Sequence, residues 1–163
     1  MIKLRRFEYS DLETYRGWVN DPTIGRLLGR IGTVTKAEHE RWYESLIDNI
    51  NVRVFAIEAN YEYIGNVWLW NIEKAHRKAE VRIVIGIMQG QGYGSQALDI
   101  ITKYAFERMN LNRLYAYVFE YNKRAKSAFE SSGFVEEGLL KSDRIINGEY
   151  VDTFIMARVK DGI

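Results

Sequence analysis

Hydrophobic residues along the chain fall into two periods, and the switches between them divide it into strands and helices. Ile2 to Phe7 alternates well enough for a strand. Val52 to Ala59 and Glu62 to Ile72 are rich in β-branched and aromatic residues and flank Asn60-Tyr61, the pattern of a hairpin. A further strand begins near His76, with Ala79, Val81, Ile83 and Ile85 on one face and Glu80, Arg82 and Val84 on the other. From Ser95 to Met109 the period lengthens to that of a helix, and Leu98, Ile101, Ala105 and Met109 form a stripe that should pack on the sheet. Asn112 to Phe119 returns to a strand. Asn122 to Ser131 reads as a short helix capped by Asn122 and stopped by Gly133. Phe134 to Leu140 and Glu149 to Arg158 then face each other across the turn Asn147-Gly148.

Two helices precede most of these strands. Ser10-Asp11-Leu12-Glu13 matches a capping box and predicts a helix to about Asn20, ended by Asp21-Pro22. A glycine-punctuated stretch with Gly25, Gly29 and Gly32 follows. Thr35-Lys36-Ala37-Glu38 then repeats the capping pattern before a helix with Trp42, Leu46 and Ile47 on its apolar side. The order β, α, α, three β, α, β, α and two β predicts an α/β or α+β fold with a mixed sheet, in a single domain spanning residues 1–163.

Composition narrows the function classes. With 47% hydrophobic and 28% charged residues the chain can bury a core, and a net charge of +1 gives no excess for binding polyanions, so nucleic acid is not the expected partner. The absence of cysteine removes disulfides, thiolate zinc sites and a cysteine nucleophile, and fits the cytoplasm. Met1 to Phe7 carries Lys3, Arg5 and Arg6 with no apolar leader, and the most apolar run, Ile83 to Met88, is too short to span a bilayer, so no membrane role is expected. Neither His39 nor His76 has a carboxylate cluster at ligand spacing around it, which argues against a metal site.

The stretch with most chemical content is Gln89-Gly90-Gln91-Gly92-Tyr93-Gly94, a glycine-rich bend between a strand and a helix. Glycines let successive N–H groups converge where a helix dipole is positive, which suits a phosphate, although tight turns also need glycine. Gly92-Tyr93-Gly94-Ser95-Gln96-Ala97 formally satisfies the dinucleotide fingerprint, with Glu120 near the end of the next strand as a ribose ligand. Against that reading, only one short helix and a hairpin remain downstream, too little for a doubly wound sheet. No Gly-Lys-Ser or Gly-Lys-Thr follows the bend, so a Walker site is absent.

Order and motif together resemble the GNAT superfamily of acyl-CoA-dependent N-acetyltransferases. Gln89 to Gly94 is similar to its Q/R-x-x-G-x-G/A motif, and Asn122, Ala125, Phe129 and Gly133-Phe134 fit its N-x-x-A-x-x-x-[YF]-x-x-x-G-F pattern. The tail Asn147-Gly148-Glu149-Tyr150-Val151-Asp152 resembles the subgroup of ribosomal-protein N-terminal, spermidine and amino-sugar acetyltransferases. The resemblance implies a mostly antiparallel mixed sheet flanked by helices, with two splayed parallel strands opening a cleft for acetyl-CoA. In that cleft Val84, Ile85 and Gly86 would pair with the pantetheine arm. Gln89, Gly90, Gln91, Gly92, Tyr93, Gly94 and Ser95 would hold the pyrophosphate, and Asn122 would bond the arm from the far side. Lys123, Arg124 and Lys126 would contact adenosine phosphates, or else form a solvated helix face.

The implied reaction is direct attack by a primary amine, of a protein N-terminus or a small molecule, on the thioester, without metal. Main-chain N–H groups would hold the oxyanion. An alkyl amine of pKa near 10 is neutral in only about one molecule in a thousand at pH 7, so a base is needed. Glu80 is the candidate, with pairing to Arg82 or Lys78 as its structural alternative; Glu120 and Glu62 come after it. Many relatives place a tyrosine four residues before Gly133 to protonate the thiolate, but here it is Phe129. Tyr117 and Tyr121 are the substitute donors, or packing residues. The early helices and Tyr61, Tyr63, Trp68 and Trp70 are expected to select the acceptor. His39 and Trp42 resemble an H-x-x-W/F pattern of nucleotide-linked amino-sugar acetyltransferases. A CoA-binding pseudoenzyme is the other alternative, and exposed aromatics on the terminal strands suit a homodimer.

Overall fold

The computed structural model describes residues 1–160. Its strands are β1 (Ile2–Arg6), β2 (Arg53–Ala59), β3 (Glu62–Glu73), β4 (Lys78–Ile85), β5 (Arg113–Phe119), β6 (Val135–Ile146) and β7 (Glu149–Val159). Its helices are α1 (Leu12–Asn20), α2 (Pro22–Leu27), α3 (Lys36–Ile47), α4 (Tyr93–Glu107) and α5 (Lys123–Ser131). The strands form one sheet in the order β1-β2-β3-β4-β5-β7-β6. Every neighbouring pair is antiparallel except β4 and β5, which rules out the doubly wound sheet that a dinucleotide fold requires.

Local chemistry sets most of these elements. Asn60 and Tyr61 both have positive φ (52° and 67°), as do Asn147 and Gly148 (52° and 80°), the left-handed pairs that let a two-residue turn follow the twist of a hairpin. At α3 the expected box forms: the Glu38 N–H donates to Thr35 Oγ1 (3.2 Å) and the Thr35 N–H to Glu38 Oε2 (2.9 Å). The Ser10 box does not form. Arg5 grips both oxygens of Asp11 at 2.8 Å, Asp11 Oδ2 also accepts the Glu8 N–H at 2.9 Å, and the helix starts one residue later than the box implies, at Leu12. The glycine-punctuated stretch contains α2, a third early helix beyond the two that the sequence predicts. Asp21 Oδ1 caps it by accepting from Thr23 (2.9 Å) and Ile24 (3.0 Å), with Pro22 in its first turn.

The sheet is covered on both sides. On one face Leu98, Ile101 and Ala105 of α4 and Phe129 of α5 bury against Leu69, Val81 and Leu114. On the other, Tyr15, Trp18 and Val19 of α1 meet Trp68 and Val84. A fully buried leucine of this kind stabilises the fold by about 2 kcal/mol, so these two layers dominate over surface pairs. The apolar side of α3 is rotated from the expected one: Ile47 is exposed while His39 is buried. α4 begins at Tyr93, not Ser95, so the glycine bend itself supplies the first turn.

One departure from regularity positions the site. β4 and β5 pair only over Lys78–Glu80 and Arg113–Tyr115. Past Glu80 the two strands separate, and the β5-facing edge of β4 from Val81 to Ile85 has no strand partner.

Candidate acetyl-transfer cleft

Two adjoining cavities occupy the gap between the parted strands. The first, about 320 Å³, is lined by Val84, Ile85, Gln89, Gly90, Gly92, Tyr93, Gly94 and Ser95 on one side and by Asn122, Arg124, Ala125, Ser127 and Ala128 on the other. Gly90 (φ +77°) and Gly92 (φ +80°) hold left-handed conformations that side chains resist. Gly92 is the N-cap of α4, and its carbonyl takes the Gln96 N–H (3.2 Å), leaving the N–H groups of Tyr93, Gly94 and Ser95 at the open N-terminus of a 15-residue helix. An unpaired strand edge for amides, apolar walls and a cluster of N–H donors at a helix dipole fit the pantetheine and pyrophosphate of CoA.

Several expected contacts fall elsewhere. Gly86 donates its N–H to Ile64 O (2.7 Å) and its carbonyl accepts from Gln89 Nε2 (2.9 Å), so neither faces a ligand. A Cβ there would come within 2.0 Å of the Trp18 ring; this glycine serves helix packing. The Gln89 side chain ties the bend to Ile85 O (3.1 Å) and Gly86 O. Gln91 does not line the cavity. Lys126 turns to Glu136 (2.9 Å) and lies over the Phe154 ring (4.3 Å), on the far side of α5; Arg124 takes the expected place at the cavity. Asn122 Oδ1 accepts from Ala125 N (3.2 Å), capping α5 at the cleft wall.

The second cavity, about 460 Å³, shares Leu27, Leu28, Ile83, Asn122 and Ala125 with the first. Glu80, Trp68, Trp70 and Tyr117 line it, together with Tyr15, Arg30, Trp42, Phe119 and Arg144 from elsewhere in the chain. Glu80 is 9% exposed and accepts from Arg82 Nε at 2.6 Å, so the base candidate and its structural alternative are both visible in one contact. Tyr117 is half exposed to the cleft. Burial, followed by the neighbouring Tyr115, Glu80 and Asp143, raises its pKa above the ordinary phenol value and keeps it protonated near neutrality. Phe129 is buried on the same wall, edge-on to Phe134 at 5.0 Å.

Tyr121 is not in this wall: its hydroxyl donates to the Arg26 carbonyl and its ring lies 4.0 Å under the Arg26 guanidinium, bracing α2 against the end of β5. Tyr61 is 99% exposed at the hairpin tip, and Tyr63 donates to Asn66 Oδ1 (2.8 Å) within the core, so neither selects an acceptor. Glu62 is exposed beside that tip, and Glu120 accepts from Asp152 N (3.1 Å). His39 stacks on Tyr15 and Trp42 (ring centroids 5.1 and 5.5 Å), behind the aromatic wall. Burial, then Arg30 and Arg16, lowers its pKa to about 4 and leaves it neutral. Arg30 and Arg144 had no motif to announce them; they reach the cleft from the segment after α2 and from β6.

Comparison with known proteins agrees with this geometry. Residues 2–135 match the family model for the acetyltransferase (GNAT) domain. The chain is 35% identical over 153 residues to the spermidine N(1)-acetyltransferase of Vibrio cholerae serotype O1, covering 93% of this chain and 88% of that protein. It superposes with a TM-score of 0.92 and 32% identity on the crystal structure of spermidine N-acetyltransferase from Vibrio cholerae in complex with CoA and spermine, covering 98% and 95% of the two chains. A dodecameric structure of the Vibrio cholerae enzyme in an intermediate state gives 0.84 and 31%, covering 98% and 94%. With its parted parallel strands, its glycine-capped helix and these matches, the chain belongs to the GNAT family of acetyl-CoA-dependent N-acetyltransferases.

Proposed function

We propose that the chain acetylates the primary amine of a small molecule by direct attack, with Glu80 taking the amine's proton. The observation that carries this is the position of Glu80. It is buried on the cleft wall at the last paired residue before β4 and β5 part, so the carboxylate adjoins the strand edge suited to the pantetheine arm. Acetyl-CoA supplies an activated acyl group when bound. The N–H groups of Tyr93, Gly94 and Ser95 hold its pyrophosphate, the free edge of β4 aligns its amides, and Leu27, Leu28 and Ile83 keep water from the junction of the two cavities. Tyr117 stands on the acceptor side as a proton donor. Phe129 supplies no proton, and none is essential there, because a thiol of pKa about 8.5 leaves tolerably as thiolate.

The Vibrio relative assembles as a dodecamer, and the exposed apolar side chains Val135, Leu139, Leu140 and Ile145 of β6 support self-association of this chain, a dimer at least. Among the described residues no helix is long and apolar enough to cross a membrane. A cytoplasmic location suits a chain without cysteine.

The test is thiol release from acetyl-CoA with a panel of small amines. Glu80→Gln is expected to lower kcat by roughly a hundredfold to ten-thousandfold and to change its pH profile. Unchanged kcat and pH profile would take the base role from Glu80, and CoA binding without thiol release would reveal a pseudoenzyme.

A further inference from the structure

We infer that the amine acceptor carries phosphate, as a nucleotide-linked or phosphorylated amino sugar does, and that Arg30 and Arg144 select it. This rests on the acetyl-transfer reading above and concerns the same cleft. Apart from its tyrosines, the ionisable residues of the 460 Å³ cavity are Arg30, Arg82, Arg144 and a single acid, Glu80. Glu80 is already bonded to Arg82 at 2.6 Å. Two guanidinium groups are therefore left facing the space. Arg30 makes no side-chain hydrogen bond or ion pair among the described residues, and Arg144 has only Asp143, at 3.8 Å. Even with Asp143 included the wall is positive, and the field of Arg30 reaches inward to oppose protonation of His39.

A polyamine would meet this wall as a multiply charged cation. Its usual compensation, the faces of aromatic rings, is partly taken: Arg82 covers Trp70 at 4.5 Å and Arg144 lies over Phe119 at 6.0 Å. Guanidinium groups on a rim above indole and phenyl walls instead suit a ligand with a ring and a phosphate, because the fork of N–H donors matches phosphate oxygens. The amine end then points past these groups to Glu80, beside Ile83 at the junction with the first cavity.

Calorimetry on the CoA-saturated protein tests this with uridine diphosphate, glucosamine 6-phosphate, glucosamine and spermidine as probes. Saturation with CoA keeps the nucleotide from the pyrophosphate cradle. At least one phosphate-bearing probe is expected to bind more tightly than glucosamine and spermidine. Preference for uridine diphosphate identifies a nucleotide-linked acceptor, and preference for glucosamine 6-phosphate a simple sugar phosphate. Arg30→Gln and Arg144→Gln, both at exposed positions, should each weaken that probe roughly ten- to hundredfold while leaving CoA affinity unchanged. Tighter binding of spermidine, no binding of either phosphate probe, or indifference of the phosphate probe to both substitutions overturns the inference and leaves the acetyl-transfer reading standing. Failure to bind CoA overturns both.

Discussion

The two halves of the cleft are built from different materials. The side proposed for CoA is largely main chain: two left-handed glycines, the first turn of α4 and an unpaired strand edge, all within Val81 to Ser95. The side proposed for the acceptor is side chain, drawn from α1, α2 and the segment after it, α3, β3, β4, β5, α5 and β6. Main-chain donors tolerate any residue that permits the backbone path, so one contiguous motif specifies that half. Side-chain walls depend on which distant segments meet, so the other half can change its charge while the fold and the chemistry stay the same.

Breaking the main-chain half should have the largest effect on CoA binding. Gly92→Val places a β-branched residue at φ +80° at the head of α4, and CoA binding should weaken by roughly ten- to hundredfold, read by calorimetry. An unchanged Kd would mean that the bend does not hold the pyrophosphate. The side-chain half can be loosened separately by acid. His39 takes a proton below about 6.5 when the chain is unfolded but resists until about 4 when folded, so its contribution to stability is full above pH 6.5 and is lost as pH falls toward 4. That loss is at most about 3 kcal/mol. Urea melts at pH 7.5 and 4.5 should show it in the wild type and show less of it in His39→Phe, which keeps the stack on Tyr15 and Trp42. Equal slopes would remove His39 as the source.

The smallest expected effect sharpens the account of the missing hydroxyl. Tyr117→Phe should lower kcat by about tenfold or less, at the low end of general acid catalysis, with the CoA Kd unchanged. A fall as large as that expected for Glu80→Gln would make Tyr117 the principal proton carrier. No change would return it to the packing role that its edge-on contact with Tyr115 at 6.0 Å also allows.

The same contrast explains which expectations held. The hairpin turns, the α3 capping box, the Asn122 cap and Leu98, Ile101 and Ala105 of the α4 stripe came through because each is settled by neighbours a few residues apart, whereas Met109 lies past the helix end at Glu107. α2 was passed over although Asp21-Pro22 is a start signal, because Gly25 lowers helix propensity; in the fold Gly25 is buried. The Ser10 box was displaced by Arg5, a partner from another element. Lys126 and Tyr121 both adjoin Asn122 in sequence, but the turn of α5 and the contact with Arg26 send them elsewhere.

From sequence alone came the order of the strands, the glycine bend that opens α4 and the acid on β4, since backbone geometry and strand alternation are local properties. Only the tertiary structure decided that Gly86 yields to Trp18, that Tyr63 belongs to the core, and that Arg30 and Arg144 line the second cavity. Each of these depends on segments far apart in the chain being packed to within a few ångströms, and no local pattern records that meeting.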